Sequence, residues 1–277
     1  MTTIIRRRKL GMSSVKGISS YSKQDIGWVR NDRPLPDDDL YIRWGCTSNV
    51  PTKNVLNTAK AIHEVNDKRM FRHKTAKEGL SPETWLTVED VSDNAMEEGV
   101  IFRPKLHSRG RNTFHVTSKW RLHELAAVFP EYYISRYVPK VAEYRVAVVC
   151  GRVVWVAAKN PSDPKDIAWN VAKGGRFDNV KWGDWNLDVL EVATRAFKLS
   201  SLDFGGVDVM VGPDGACWVL EINSAPSLTS PYRQECMAKA FDYVVVNGKG
   251  HMDTVRGERF LGYVHPAISK RAVLCAD

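Results

Sequence analysis

In "VPTKNVLNTAKAIHEVND", apolar residues fall at Val55, Leu56, Ala59, Ile62 and Val65. That is the three-to-four spacing of one helix face, and it predicts a helix over this stretch. A second helix follows and is stopped at Gly79. Ahead of them "LYIRWG" (40–45) reads as a short strand, and "LSPETWLTVED" reads as an extended segment leading to a new helix start. From Gly99 the period shortens. "GVIFRP" and "NTFHVT" read as strands around the polar turn "KLHSRGR", and "SKWRLHELAAVF" as a helix capped by Ser118. "YYISRYV" and "EYRVAVVCGRVVWVAAK" continue the strands, the second folding into a hairpin at Cys150-Gly151-Arg152. The polar stretch "NPSDPKDIAWNVAKGGRF" reads as a loop, "NLDVLEVATRAFKLSSL" as a helix, and "PYRQECMAKAFDYVVV" as a final helix. Residues 1–40 carry little pattern, and with the Pro/Asp-rich "NDRPLPDDDL" they read as a loop or mobile lead-in. The sum is a mixed sheet with helices, an α+β chain.

Composition narrows the class. At 277 residues, 43% hydrophobic and 26% charged, the chain has material for a real core. No apolar stretch approaches the roughly 18–20 residues of a membrane span. "MTTIIRRRKLGMSSVKG" is basic but lacks an apolar core of signal-peptide length, so a cytoplasmic protein is expected. Five scattered cysteines without a C-x-x-C argue against a thiolate metal site and suit a reducing compartment. The net charge of +8, dense at Arg6–Lys9, Lys68–Lys77 and Arg103–Arg121, suits an anionic partner: nucleotide, nucleic acid or acidic peptide. A merely solvated basic surface explains the charge equally well.

"GVDVMVGPDGACWVLEIN" changes the picture. Two apolar strands are joined by Gly212-Pro213-Asp214-Gly215, residues that suit a tight turn. Glu221 and Asn223 share a face by the period of two, and cross-strand pairing can bring Asp208 onto it. Two carboxylates and a carboxamide among apolar neighbours are costly without a cation, and hard oxygen donors suit Mg²⁺. Ordinary pairing with the many Lys and Arg residues is the alternative.

These residues resemble the ATP-grasp superfamily of carboxylate–amine ligases, whose metal-binding hairpin in D-alanine–D-alanine ligases and ribosomal-protein glutamate ligases is similar to "DVMV…VLEINSAPSL". Further segments match in order between about Ile42 and Leu228. The resemblance implies two α+β lobes clasping ATP behind a short N-terminal α/β domain. Its divisions are residues 1–66, 67–138 (small lobe with the glycine loop) and 139–277 (large lobe with the hairpin and C-terminal helix).

By the same resemblance Lys68 contacts nucleotide phosphate, and Arg103 stands where the family has a phosphate-binding lysine, an exchange that keeps the charge. Gly110 lets the loop backbone approach phosphate, the backbone at Arg136 and Val138 meets adenine, and Glu143 holds the ribose. Arg145 is aimed at the γ-phosphate, Lys159 neutralises phosphoryl charge, Asn170 contacts phosphate or metal, and Lys173 is a further candidate for an acidic substrate group. Asp208, Glu221 and Asn223 hold two Mg²⁺ ions.

The implied reaction joins a carboxylate to an amine through an acylphosphate, releasing ADP and phosphate. The partners are small-molecule or peptide substrates, acidic ones being favoured by the net charge, with their carboxylate met by the loop Ser224–Ser230. A basic nucleic-acid-binding protein on an idle fold, or a small-molecule kinase using the same ATP site, are the competing expectations.

Overall fold

The computed structural model describes residues 1–7, 11–105, 112–164, 166, 167, 169 and 174–250. The first 56 of these positions hold β1 (Thr2–Arg6), α1 (Met12–Tyr21), β2 (Ile26–Arg30), β3 (Leu40–Trp44) and β4 (Val55–Leu56). The strands form a parallel sheet in the order β2-β1-β3-β4. Residues 1–40 are therefore an α/β unit rather than a lead-in. Every residue of β1 and β3 is buried, so the alternation that marks a half-exposed strand is missing from their sequence. Within the stretch, only "NDRPLPDDDL" keeps the expected irregularity, up to Leu40.

Val55 and Leu56 also depart from expectation, lying in β4 instead of a helix. Asn57 ends that strand with a φ of 65°, in the left-handed region that Asn tolerates. Its side-chain oxygen accepts from the N–H groups of Asp203 (2.7 Å) and Phe204 (3.0 Å), tying the first sheet to the last. Helix α2 (Ala59–Asn66) then starts behind Thr58, whose hydroxyl accepts from Ala61 N–H. Helix α3 (Lys68–Lys77) follows and stops before Gly79, at φ 67°, as expected.

The second sheet is antiparallel: β5 (Thr84–Trp85), β6 (Val100–Pro104), β7 (Phe114–Val116) and β8 (Tyr132–Arg136), in the order β5-β8-β6-β7. Between its strands lie α4 (Asp93–Glu98) and α5 (Lys119–Val128). Ser92 caps α4, so the helix expected after "LSPETWLTVED" begins only at Asp93, and Ser118 caps α5 as predicted. Trp85, Phe102, Leu122, Leu125 and Ile134 form the core of this lobe.

The third sheet holds β9 (Ala142–Val149), β10 (Arg152–Asn160), β11 (Arg176–Asn179), β12 (Phe204–Val211) and β13 (Cys217–Asn223), in the order β11-β10-β9-β12-β13. Strands β9 and β10 meet at Cys150 (φ 45°) and Gly151 (φ 81°), the twin positive angles of a tight hairpin turn. Strand β11 lay unseen in the polar stretch because its "RFDN" is an edge strand, mostly exposed and without apolar alternation. Helix α6 (Leu187–Leu199) covers one face through Val189, Ala193 and Phe197 against Val146, Val207 and Val209. Helix α7 (Pro231–Asn247) and the first sheet cover half of the other face, with Met237, Phe241 and Trp44 against Trp155 and Phe204. The uncovered half is polar. No helix among the described residues is long and apolar enough to cross a membrane.

Candidate functional site

A cleft of about 310 Å³ opens between the second sheet and the uncovered half of the third. Ile101, Arg103, Tyr133 and Val138 line one wall, Glu143, Lys159, Asp208 and Met210 the other, and Lys68, Arg72 and Glu221 the edge. The volume is at the lower end for a small-molecule site.

The acid pair depends on a bulge. From the turn upward, Val211 pairs with Cys217, Met210 with Trp218 and Val209 with Val219. Continued regularly, Asp208 would face Leu220, and Glu221 would point to the α6 side. Instead the register shifts between Asp208 and Val209, so Asp208 pairs with Glu221 and Gly206 with Asn223. All three polar residues thereby reach one face. Arg72 of α3, buried, donates to the carbonyl of the extra residue Leu220 and supports the bulge. Burial lowers the Arg72 pKa to about 10.

Glu143, Asp208 and Glu221 are each held by a cation. Arg145 grips Asp208 with two bonds, Nε to Oδ1 at 2.6 Å and Nη2 to Oδ2 at 2.7 Å, both side chains being nearly buried. Burial works against the Arg145 charge, but Asp208 outweighs it and raises the pKa. Lys159 donates to Glu143 and lies 3.7 Å from Asp208. Its pKa is likewise raised, burial being overcome by Asp208 and Glu143. Lys140 bonds the other oxygen of Glu143 at 2.6 Å. For Lys140 burial prevails and lowers the pKa. Glu221 accepts from Lys68 Nζ at 2.5 Å and from Asn223 Nδ2 at 3.0 Å. Burial opposes its charge, yet Lys68, Asn223 and Arg145 together hold its carboxyl well below the usual range.

Of the residues singled out in the sequence, Lys68, Arg103, Arg136, Val138, Glu143, Lys159, Asp208 and Glu221 line the cleft. Arg145 and Asn223 stand behind it, held to Asp208 and Glu221. Gly110, Asn170 and Lys173 lie outside the described residues. Arg103 donates to the Ser135 hydroxyl at 2.9 Å and has no carboxylate partner among the described residues. The Arg136 side chain turns outward to Glu83 and Glu98, and its N–H donates to the Glu83 carbonyl. The Tyr137 N–H donates to Gly99, which leaves Val138 as the first hinge position whose N–H has no partner among the described residues. Sequence reasoning missed Lys140, Arg72 and Trp169. Lys140 sits 4.4 Å from the Trp169 ring centroid, and only its place three residues before Glu143 hinted at it.

The donor set fits a hard cation in kind: two carboxylates and a carboxamide, without sulfur or imidazole. Among the described residues no three His, Cys, Asp or Glu side chains converge, so Asn223 and oxygens of a bound ligand must complete the coordination. Each carboxylate oxygen retains lone pairs beyond the bond it already accepts.

No family model matches the chain, and no curated protein matches it. Solved structures do. D-alanine–D-alanine ligase from Bacillus anthracis, complexed with ATP, aligns with a TM-score of 0.62 at 12% identity over 91% of this chain and 98% of that one. Macrocyclase MdnC from Microcystis aeruginosa, bound to precursor peptide MdnA, gives 0.60 at 16% over 86% and 98%. ATP-grasp ligase PsnB, complexed with a precursor variant, Mg and ADP, gives 0.60 at 12% over 90% and 98%. The alignments run across nearly the whole length of each: the chain has the ATP-grasp fold.

Proposed function

We propose that this chain is an ATP-dependent carboxylate–amine ligase. The observation that carries the reading is the convergence, in one cleft, of the Asp208 and Glu221 carboxylates, the latter held from behind by Asn223, with Arg103, a cation lacking a carboxylate partner among the described residues. That combination suits a polyphosphate with its cation. When bound, Mg²⁺ ions, two by the family resemblance, would be held by Asp208, Glu221 and Asn223 and would neutralise phosphate charge.

In the reaction, a carboxylate oxygen of the acid attacks the γ-phosphorus and ADP leaves. The amine nitrogen then attacks the acyl carbon, phosphate leaves and an amide remains. The protein's part is positioning and charge. Arg103 binds phosphate oxygens, Val138 offers hinge backbone to the base, and Lys159 faces the charge that develops on the transferred group. Arg145 holds Asp208 in place from behind. Lys140 and Lys159 fix the Glu143 carboxylate that meets the ribose. The partners are an acid and an amine, small or peptidic, in the cytoplasm.

The nucleic-acid reading would use aromatic residues interleaved with the basic cluster Arg103–Arg121, but of the two there Phe114 packs on Phe102 and Phe129, leaving Trp120 exposed. The deciding experiment is a Mg²⁺–ATP assay against amino acids and acidic peptides, read by mass spectrometry and phosphate release. Condensed product with free phosphate is expected. A phosphorylated product without phosphate release identifies a kinase instead. Full turnover by an Asp208→Asn/Glu221→Gln double variant would overturn the reading.

A further inference from the structure

Strand β2 is an outer strand of the first sheet, bonded to β1 alone. Just beyond that ladder the Asn31 N–H donates to the Arg6 carbonyl. Backbone groups of a strand turn alternately to one side and the other, so Gly27 and Val29 share the phase of Asn31 and face β1. Ile26, Trp28 and Arg30 turn their N–H and C=O groups outward. The Arg30 carbonyl closes a turn onto the Arg33 N–H, and the other outward groups have no partner among the described residues. The outer edge of β13 is different, since its Val219 N–H donates to the Leu80 carbonyl at 2.7 Å and its Leu220 carbonyl accepts from Arg72.

Exposed strand edges are usually blunted by proline, a bulge or a charge within the strand. Strand β2, "IGWVR", has no proline, pairs with β1 without a shift over five residues, and is uncharged and half-buried from Gly27 to Val29. Its flank is basic. The Trp28 side chain lies on the α1 face, with Arg6 Cζ 5.2 Å and Lys16 Nζ 5.9 Å from its ring centroid. Arg30, two residues on, shares that face by the strand period. Arg7 and Arg33 are exposed where β1 and β2 end. Asp32 pairs with Arg30 at 3.1 Å, whereas Lys16 and Arg33, both exposed, have no acidic partner among the described residues. This end of the sheet therefore carries a surplus of positive charge beside a row of open backbone groups.

We propose that the outer edge of β2 is a docking site for an extended acidic polypeptide segment, which joins the first sheet as a further strand. Open N–H and C=O groups at the pitch of a strand select a polypeptide over a nucleic acid, because only a peptide backbone can continue the ladder. Carboxylates on alternate residues of that segment reach the α1 face, where Lys16, Arg30 and Arg33 answer them. No residue of the first sheet lines the ATP cleft among the described residues, so this site goes beyond the ligase reading and does not depend on it.

The test is fluorescence anisotropy of a labelled peptide alternating Glu with Thr, titrated with the full chain. Binding is expected, and a Lys16→Glu/Arg33→Glu double variant is expected to weaken it about tenfold or more. A second arm leaves the protein untouched. The same peptide methylated on one alternate set of backbone nitrogens is expected to lose binding, because that set faces β2, and methylated on the other set to keep it. Absence of binding by the parent peptide, unchanged affinity in the double variant, or equal behaviour of the two methylated forms overturns the proposal. Should the double variant fail to fold, the two methylated forms decide alone. Oligothymidylate of matching charge that displaces the peptide, and binds more tightly than it, identifies a nucleic-acid surface and likewise overturns the proposal.

Discussion

Lys68 Nζ lies 2.5 Å from Glu221 Oε2, so the first residue of α3 is tied to the end of a hairpin strand 153 positions later. The pair is about a third exposed, so it is worth only about 1 kcal/mol at neutral pH. Because Glu221 has a depressed carboxyl pKa, its contribution is full above the ordinary glutamate value of 4.5 and is lost as pH falls toward the folded value. Lys68→Met is therefore expected to melt below the wild type at pH 7, with the gap narrowing below about pH 4.5. Melting curves at pH 7 and pH 3.5 check this, and a gap that widens on acidification contradicts it.

Asp208 and Arg145 form a nearly buried ion pair joined by two hydrogen bonds. Asp208→Asn removes the charge and leaves the guanidinium uncompensated, at an expected cost of about 3–5 kcal/mol. Arg145→Met added to it is expected to recover at least half, because no buried charge is then stranded. Urea unfolding of the two singles and the double measures the coupling. Strict additivity would show that the two do not act as a pair.

Among the described residues the Arg103 guanidinium meets the Ser135 hydroxyl and the face of Tyr133. Its removal should cost little stability, within about 0.5 kcal/mol. Arg103→Met is expected to bind an ATP analogue about tenfold more weakly, with Arg103→Lys intermediate because an ammonium cannot make the forked contact. Calorimetry on three well-folded proteins decides it, and equal affinities remove Arg103 from the phosphate site.

Cys150 occupies a left-handed turn position at φ 45° beside Gly151. Asn tolerates that region better than Cys, so Cys150→Asn should stabilise the chain by about 0.5–1 kcal/mol. A loss of stability on chemical denaturation would mean that the thiol's packing outweighs the backbone term.

The polar hairpin and most of the helices and strands from Leu40 onward were legible from apolar runs bounded by turn residues, even in the wholly buried β3 and β12. In β1 the buried "TTIIR" holds only two apolar residues, and in β11 most of "RFDN" is exposed, so neither makes an apolar run or an alternation and both go unread. Val55 and Leu56 show a different failure. Their spacing fits a helix, but Asn57 bonds to the backbone of Asp203 and Phe204, and that distant contact fixes the strand. For the site, types of residue were readable and their pairings were not. Glu143 between Lys140 and Lys159, and Arg145 locked on Asp208, follow from the meeting of three strands.

The extra residue at Leu220 turns the hairpin into a matter of parity. A Leu220 deletion would keep both strands, the turn and nearly all of the apolar core. It would place Glu221 directly after Val219 and opposite Asp208 in a regular ladder, so the acids and Asn223 would keep the cleft face while the bulge disappeared. A bulged hairpin and a regular one a residue shorter can therefore assemble the same three-oxygen set, and only a retained Leu220 paired regularly with Asp208 would turn Glu221 and Asn223 away from the cleft.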